Sequence, residues 1–546
     1  MTENYEQIQN GKEEHMDGIS KKLYLTMEKP TEEDSRSSQR RILDALDALG
    51  IKAAMTLPVL RSLYPLCDRA DWKITASLAW DGSRWMVVRL EAGDTSNCHY
   101  GYAVDLGSTT VVTRLINCTT GECMGETSSF NGQIAYGTDI LTRIFYCKDQ
   151  PDKLEELRRT TVDSILDTME KLRADTGIAP EDCIQTVISG NTTMIHFLIG
   201  IDAFCVFSTP YAVRADAPDF LPGREVGIPV SGYVYCYPGK SNYLGGDIIS
   251  GMVETEIYKK EEVCAFFDIG TNGELVIGNR EFLLCGAGSA GPALEGGVVR
   301  TGMRAEPGAV ERVQIKDGAF VLDVIGGESP RGICGSGIVD MIAELFVSGW
   351  IDLRGKFHPE ASPLIQRRCV EDPAMHTEMD DADPDHRIEY AVEYGPGLYF
   401  YQSDIDEFVR TKAAAYTMVE CMLKESGITM DDISEFYVAG AFGKHVSKES
   451  AVTIGMYPDM PRERIINAGN ASLDGAQKLL LHKDRLEDID GLLEKMIYIQ
   501  FGAVEDFLHI MVAAQALPHT DLQRYPSVVN RLSQRQQSAE NKRSDL

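Results

Sequence analysis

Short apolar runs broken by glycine-rich bends set the rhythm of this chain. Tyr102-Ala-Val-Asp105-Leu runs apolar into an acid, bends through Gly107-Ser108-Thr109-Thr110, and turns apolar again up to Arg114. That pattern predicts two strands joined by a tight turn. The stretch from Phe266 to Ile277 repeats it: the run reaches Asp268, Gly270-Thr271-Asn272-Gly273 makes the bend, and Glu274-Leu-Val-Ile follows. A third bend, Gly440-Ala441-Phe442-Gly443, follows the apolar run at Phe436.

Other elements arrange themselves around these bends. Lys22 to Pro30 reads as a strand, and Ser35 to Leu49 as a helix stopped by Gly50. Ile74–Trp80 and Trp85–Leu90 flank Asp81-Gly82, a hairpin signal. Residues 22–99 are therefore expected to form a small α+β unit, behind a polar, disordered 1–21. Residues 100–240 hold the first bend, helices over Ile134–Lys148 and Leu154–Ala174, a strand at Thr186–Gly190 and a helix from Asn191 to Leu198. Asn191 or Thr192 would cap that helix or face a ligand, and His196 reads as a packed core residue. Residues 241–516 form the next unit. Gly245-Gly246-Asp247 opens a helix, the Asp268 bend follows, and Gly286–Gly297 and Gly332–Gly337 each feed a helix. Gln402–Lys424 is a long helix, 371–386 an acidic solvated loop, and 517–546 a disordered tail.

Composition changes the picture in three ways. A formal net charge of −30 argues against nucleic acid and anionic membranes as partners. No apolar run reaches the roughly 20 residues that span a bilayer, and the N-terminus lacks an apolar signal core, so a cytoplasmic location is expected. The 13 cysteines suit a reducing compartment. There is no Cys-x-x-Cys, and Glu126 stands where a plant-type ferredoxin would need the cysteine after Cys118 and Cys123. No iron–sulfur cluster is expected. Cys285 and Cys334 in glycine-rich turns read as buried thiols, with a ligand role left open.

The bends carry the candidate chemistry. Glycine lets backbone N–H groups approach a phosphate, hydroxyls add donors, and an Asp at a strand end can hold a metal-bound water beside it. The phosphate loop of nucleotide-binding P-loop proteins is absent, because Val234 stands where Gly239-Lys240-Ser241 would need its first glycine. No zinc helix and no nucleophile elbow with triad partners occurs.

Two acid-and-glycine hairpins and one later glycine turn resemble the actin, sugar-kinase and seventy-kilodalton chaperone superfamily. The resemblance implies an α/β fold, a duplicated actin-like (ribonuclease H-like) ATPase clamp. Its halves would be a middle domain over 100–240 and a C-terminal domain over 241–516, preceded by the α+β linker domain. Narrower motifs, YAVDLGSTTV, NGQIAYGTDILTRI, ISGNTTMIHFLIGI, LGGDIISGM, FDIGTNGEL, GAGSAGPALEGG, GICGSGIVD and VAGAFG, are similar in order to the reductive activators of corrinoid proteins. That family implies ATP-dependent reduction of Co(II) to Co(I) in a partner corrinoid protein of a methyltransferase system.

By resemblance, ATP and Mg2+ are the cofactors. Asp105 and Asp268 would hold metal-bound waters. Gly107, Ser108, Thr109 and Thr110, with Gly270, Thr271, Asn272 and Gly273, would cradle phosphates. Gly440, Ala441 and Gly443 would form the adenosine turn. Asp247, Glu274 and Glu295 are candidates for orienting the attacking water. With no cluster motif, a separate electron donor is expected, and homodimer formation is left open. The alternatives are a small-molecule kinase of the same fold and a non-catalytic, nucleotide-sensing partner of a corrinoid protein.

Overall fold

The computed structural model describes residues 16–270, 272–289, 299–369, 388–440 and 445–544. Two compact units emerge: Met1–Glu254 with Ala471–Glu494, and Thr255–Asn470 with Lys495–Leu546.

The first unit opens with a four-stranded sheet made of Ser20–Thr26, Lys73–Trp80, Trp85–Ala92 and Ala53–Met55. The hairpin at Asp81-Gly82 forms as expected, closed by the Asp81 carboxylate, which accepts from the amides of Ser83 and Arg84. Two helices cover the sheet. Ser38–Asp47 is capped by the Ser37 hydroxyl. Leu57–Arg69 was not expected, because Pro58 and Pro65 disguise it. Pro58 sits in the first turn, where its missing N–H costs nothing. Residues before 22 are not all disordered: Ile19 is fully buried, and its amide donates to Leu480 O.

Behind it lies a six-stranded sheet in the order Cys123–Phe130, Thr110–Asn117, Tyr100–Leu106, Cys183–Gly190, Tyr233–Cys236, Asp219–Pro222. The strand Cys183–Gly190 is buried along its whole length, as a central parallel strand must be. The two small sheets share apolar contacts at Ala79, Met86, Val88 and Ile184. The expected helix over Ile134–Lys148 is two pieces, a single-turn Gly132–Tyr136 and a helix Ile140–Cys147. Asp139 ends the gap by capping the second. The long helix Pro151–Thr176 packs across this sheet.

The second unit is built on Ile465–Gly469, Glu435–Ala439, Cys264–Ile269, Asn272–Gly278, Leu283–Ser289 and Met496–Tyr498. The two six-stranded sheets repeat one plan. Three consecutive strands form an antiparallel meander, and two later strands add in parallel beside the first. That repeat is the duplicated actin-like α/β fold. Helix Gln402–Ser426 buries Phe408, Ala415 and Met422 in the second core.

Two segments depart from expectation. Helix Gly246–Thr255 and the helix Ala471–Leu481 belong to the first unit, which places the division of the chain later than 240 and returns 471–494 to the first half. The C-terminal residues are not a disordered tail: Pro526–Ser544 is helical. Tyr525 and Val528 are buried to within 1%, and the Ser527 amide and hydroxyl both bond Asp459. A few apolar residues at helical spacing dock a segment whose average composition is polar. The acidic stretch 371–386 lies outside the described residues. Among those described, no helix is long and apolar enough to cross a membrane.

Candidate functional site

In the first unit Asp105 is the last residue but one of strand Tyr100–Leu106. It stands opposite Val112 across the hairpin and opposite Ser189 on the parallel strand. The turn that follows is tight: Gly107 N donates to Thr110 O at 3.0 Å, and a side chain on Gly107 would meet that oxygen at 2.5 Å. All three turn carbonyls accept from Asn131 or Arg143. Asn131 donates to Gly107 O through its Nδ2 and to Thr109 O through its backbone amide, both at 2.9 Å. Arg143 Nη1 donates to Ser108 O at 2.7 Å. In a trans peptide, C=O and N–H point to opposite sides. The amides of Ser108 and Thr109 therefore face away from Asn131 and Arg143, and neither donates to a protein acceptor among the described residues. Two amides without a protein acceptor, beside the hydroxyls of Ser108, Thr109 and Thr110, are donors of the kind an anion takes.

A chain of hydroxyls runs from the acid. Ser472 Oγ donates to Asp105 Oδ1 at 2.9 Å and lies 2.9 Å from Ser189 Oγ. Ser189 and Ser250 hydroxyls are 2.6 Å apart, and Ser250 Oγ donates to Asp247 O. Asp247 sits in the first turn of its helix, its Oδ1 accepting from Ile248 N. Burial, then the charge of Asp105, push the Asp247 carboxyl up to about 7. Two carboxyls that feel each other's charge repel unless a proton or cation intervenes. Carboxylates and hydroxyls are the hard oxygen donors that Mg2+ takes, mostly through its waters. Among the described residues no group of three or more His, Cys, Asp or Glu forms a ready-made metal cage.

Gly245 and Gly246 make this approach possible. A side chain on Gly245 would meet Asn191 Cα at 2.4 Å, and one on Gly246 would meet Tyr237 Cβ at 2.6 Å. Asn191 caps its helix, accepting from Met194 N. His196 is fully buried, its Nδ1 2.7 Å from Thr192 O, as a core residue.

The second unit repeats the arrangement. Asp268 is again the last residue but one of its strand, opposite Glu274 across the hairpin and Ala439 on the parallel strand. Gly270 N donates to Asn272 O at 2.9 Å. Gly440, at φ 90°, passes so close that a side chain would meet Ile269 O at 2.7 Å and Asp268 Oδ1 at 2.9 Å. Gly190 does the same in the first unit, against Leu106 O at 2.8 Å. Gly273 has a packing reason of its own: a side chain there would meet Met418 Cε at 2.4 Å. Thr271, Glu295, Ala441 and Gly443 lie outside the described residues. Cys285 and Cys334 are buried thiols that donate to the carbonyls of Ile497 and Val310.

Sequence reasoning placed Asp105, Asp247 and the Gly107–Thr110 turn in one candidate set, and the first unit gathers all of them. It missed Ser472, which no local signal marks. It quoted Asn131 and Arg143 only as part of a motif, although an Asn beside Gly132 and an Arg in the mostly apolar helix Ile140–Cys147 were a usable hint.

Three family models cover the chain in order: the linker region of RACo over residues 11–97, its middle region over 100–260, and its C-terminal ASKHA domain over 262–529. The solved "Reductive activator for corrinoid,iron-sulfur protein" is 31% identical, with a TM-score of 0.85 over 95% of this chain and 82% of that one. The chain belongs to the family of reductive activators of corrinoid proteins. A "Corrinoid activation enzyme RamQ" of Eubacterium limosum is 32% identical over 394 residues, 70% of this chain and 65% of the relative. The "[Co(II) methylated amine-specific corrinoid protein] reductase" of Methanosarcina barkeri is 26% identical over 281 residues, 47% of this chain and 46% of the relative. The chain thus spans less than two thirds of either curated activator.

Proposed function

We propose that this protein is an ATP-dependent activator that drives reduction of a Co(II) corrinoid, carried by a partner protein of a methyltransferase system, to Co(I). The reading rests on family membership and on one observation: each of the two sheets ends its first strand in an aspartate beside a glycine turn. Asp105 and Asp268 would hold waters of Mg2+, with Asp247 turned to the same ion as Asp105. The amides of Ser108 and Thr109 and the Asn272 side chain would hold phosphate oxygens. ATP supplies the free energy; the chain binds and orients it.

The electron comes from a separate reductant in this reading. A one-electron potential moves about 59 mV per tenfold change in equilibrium. If the activator favours the ligand-detached, readily reduced cobalt state by about 10⁴, or roughly 5.5 kcal/mol, the potential rises by roughly four such steps. Differential binding then suffices without a redox centre of its own.

The test mixes purified protein, Mg·ATP, a chemical reductant and a Co(II) corrinoid protein. Appearance of the Co(I) absorption band only with ATP supports the reading. Phosphorylation of a small acceptor without cobalt reduction, or corrinoid-protein binding without turnover, overturns it.

A further inference from the structure

Among the described residues Arg143 is the largest fully buried side chain, and it carries a charge. Its Nε donates to Gly137 O at 2.9 Å, and its Nη1 to Ser108 O at 2.7 Å and Gln133 Oε1 at 3.3 Å. All three acceptors are neutral. Nη2 is buried with no hydrogen-bond partner. The carboxylate whose field reaches it, Asp139, is exposed and occupied in capping its helix, accepting from the Thr142 amide and hydroxyl. Burial depresses the guanidinium to about 10.

A buried cation without a counter-charge is costly, and such groups are normally paired. Arg143 instead sits directly behind the Ser108 peptide, whose far side turns two amides to an anion site. One peptide separates the guanidinium from that site, and Arg143 is fully buried, so screening of its charge is weak.

We propose that the Arg143 charge is balanced by the phosphate group bound on the opposite side of the Gly107–Thr110 turn, which makes Arg143 the positioning residue that sets the preference for polyphosphate over bare nucleoside. This rests on the nucleotide reading above. Fixing the turn carbonyls is the mechanical half of the role. The charge is the half that a merely structural arginine would lack.

The experiment compares ATP, inorganic triphosphate and adenosine binding by calorimetry for the wild type, R143Q and R143K. R143Q keeps a donor for Ser108 O and removes the charge. It should weaken ATP and triphosphate by about tenfold to a hundredfold, the scale of hydrogen bonds and pairings to charged groups, and leave adenosine unchanged. R143K keeps the charge and should hold the ATP-to-adenosine ratio within about threefold. Equal losses for ATP and adenosine, or an unaltered ratio in R143Q, overturn the inference while leaving the nucleotide reading intact. A wild type that binds neither ATP nor triphosphate ends both. Should R143Q not fold, the Nε–H resonance of wild-type Arg143, assigned by its absence from R143K, must shift on adding inorganic triphosphate. Absence of that shift overturns the inference.

Discussion

Ser472 donates its hydroxyl proton to Asp105 at 2.9 Å, across 367 residues of sequence. The bond fixes the orientation of the Asp105 carboxylate at the end of its strand. S472A removes the donor and should reduce ATP-dependent Co(I) formation by roughly fivefold to tenfold, the worth of one hydrogen bond of about 1 kcal/mol. S472T keeps the hydroxyl and should retain most of the rate. Rates of Co(I) appearance for the two variants check this.

Asp247 predicts a pH dependence whose sign can be fixed. Its carboxyl, ordinarily near 3.8, is raised to about 7 in the folded state by burial and by Asp105. The folded state therefore holds this proton more tightly than the unfolded chain does. The stabilising effect is fully present below about pH 4 and is lost as pH rises through about 7. Without added Mg2+, the Tm of wild type should fall between pH 5 and 8 relative to D247N. Matching Tm profiles for the two would refute the assignment.

Gly440 predicts a backbone effect. At φ 90°, with Ile269 O and Asp268 Oδ1 in the way, G440A must strain the backbone and push the aspartate aside. A loss of at least tenfold in ATP affinity is expected, with a destabilisation of about 1–3 kcal/mol. Gly469, at φ 62° with open space around it, is the control. G469A should cost only the strain, about 1–2 kcal/mol, and spare nucleotide binding.

Lys412 predicts a stability effect remote from the site. It is fully buried, and its Nζ donates to the carbonyls of Ala514, Ala516 and Pro518. Three carbonyls require three N–H groups, which only the ammonium form provides. K412M would orphan all three and should lower stability by about 3 kcal/mol or more, read as a fall in the urea midpoint. ATP affinity should not change.

Legibility in the sequence followed contact range. The aspartate bends, the Asp81-Gly82 hairpin and the helix Gln402–Ser426 were readable because turn residues and helical spacing act locally. Ser472 was invisible because its meaning depends on a strand that ends near residue 106. The C-terminal helix was misread because averaging over a polar stretch hides Tyr525 and Val528, two of the residues that dock it. Pro58 and Pro65 hid another helix, since one lies in the first turn and the other inside it.

The first unit is completed by residues that leave the ribosome late. Ala471–Glu494 supplies the Gly475 carbonyl that receives the Tyr237 hydroxyl, and Gly475 itself packs on the Ser250 backbone. At about 5–20 residues per second, roughly 10–40 s of translation pass between helix Gly246–Thr255 and its missing neighbour. During that interval the nascent first half carries an uncovered seam. Chaperone demand in the cell should therefore peak before synthesis ends, and truncations short of Ala471 should yield insoluble product instead of an isolated soluble half.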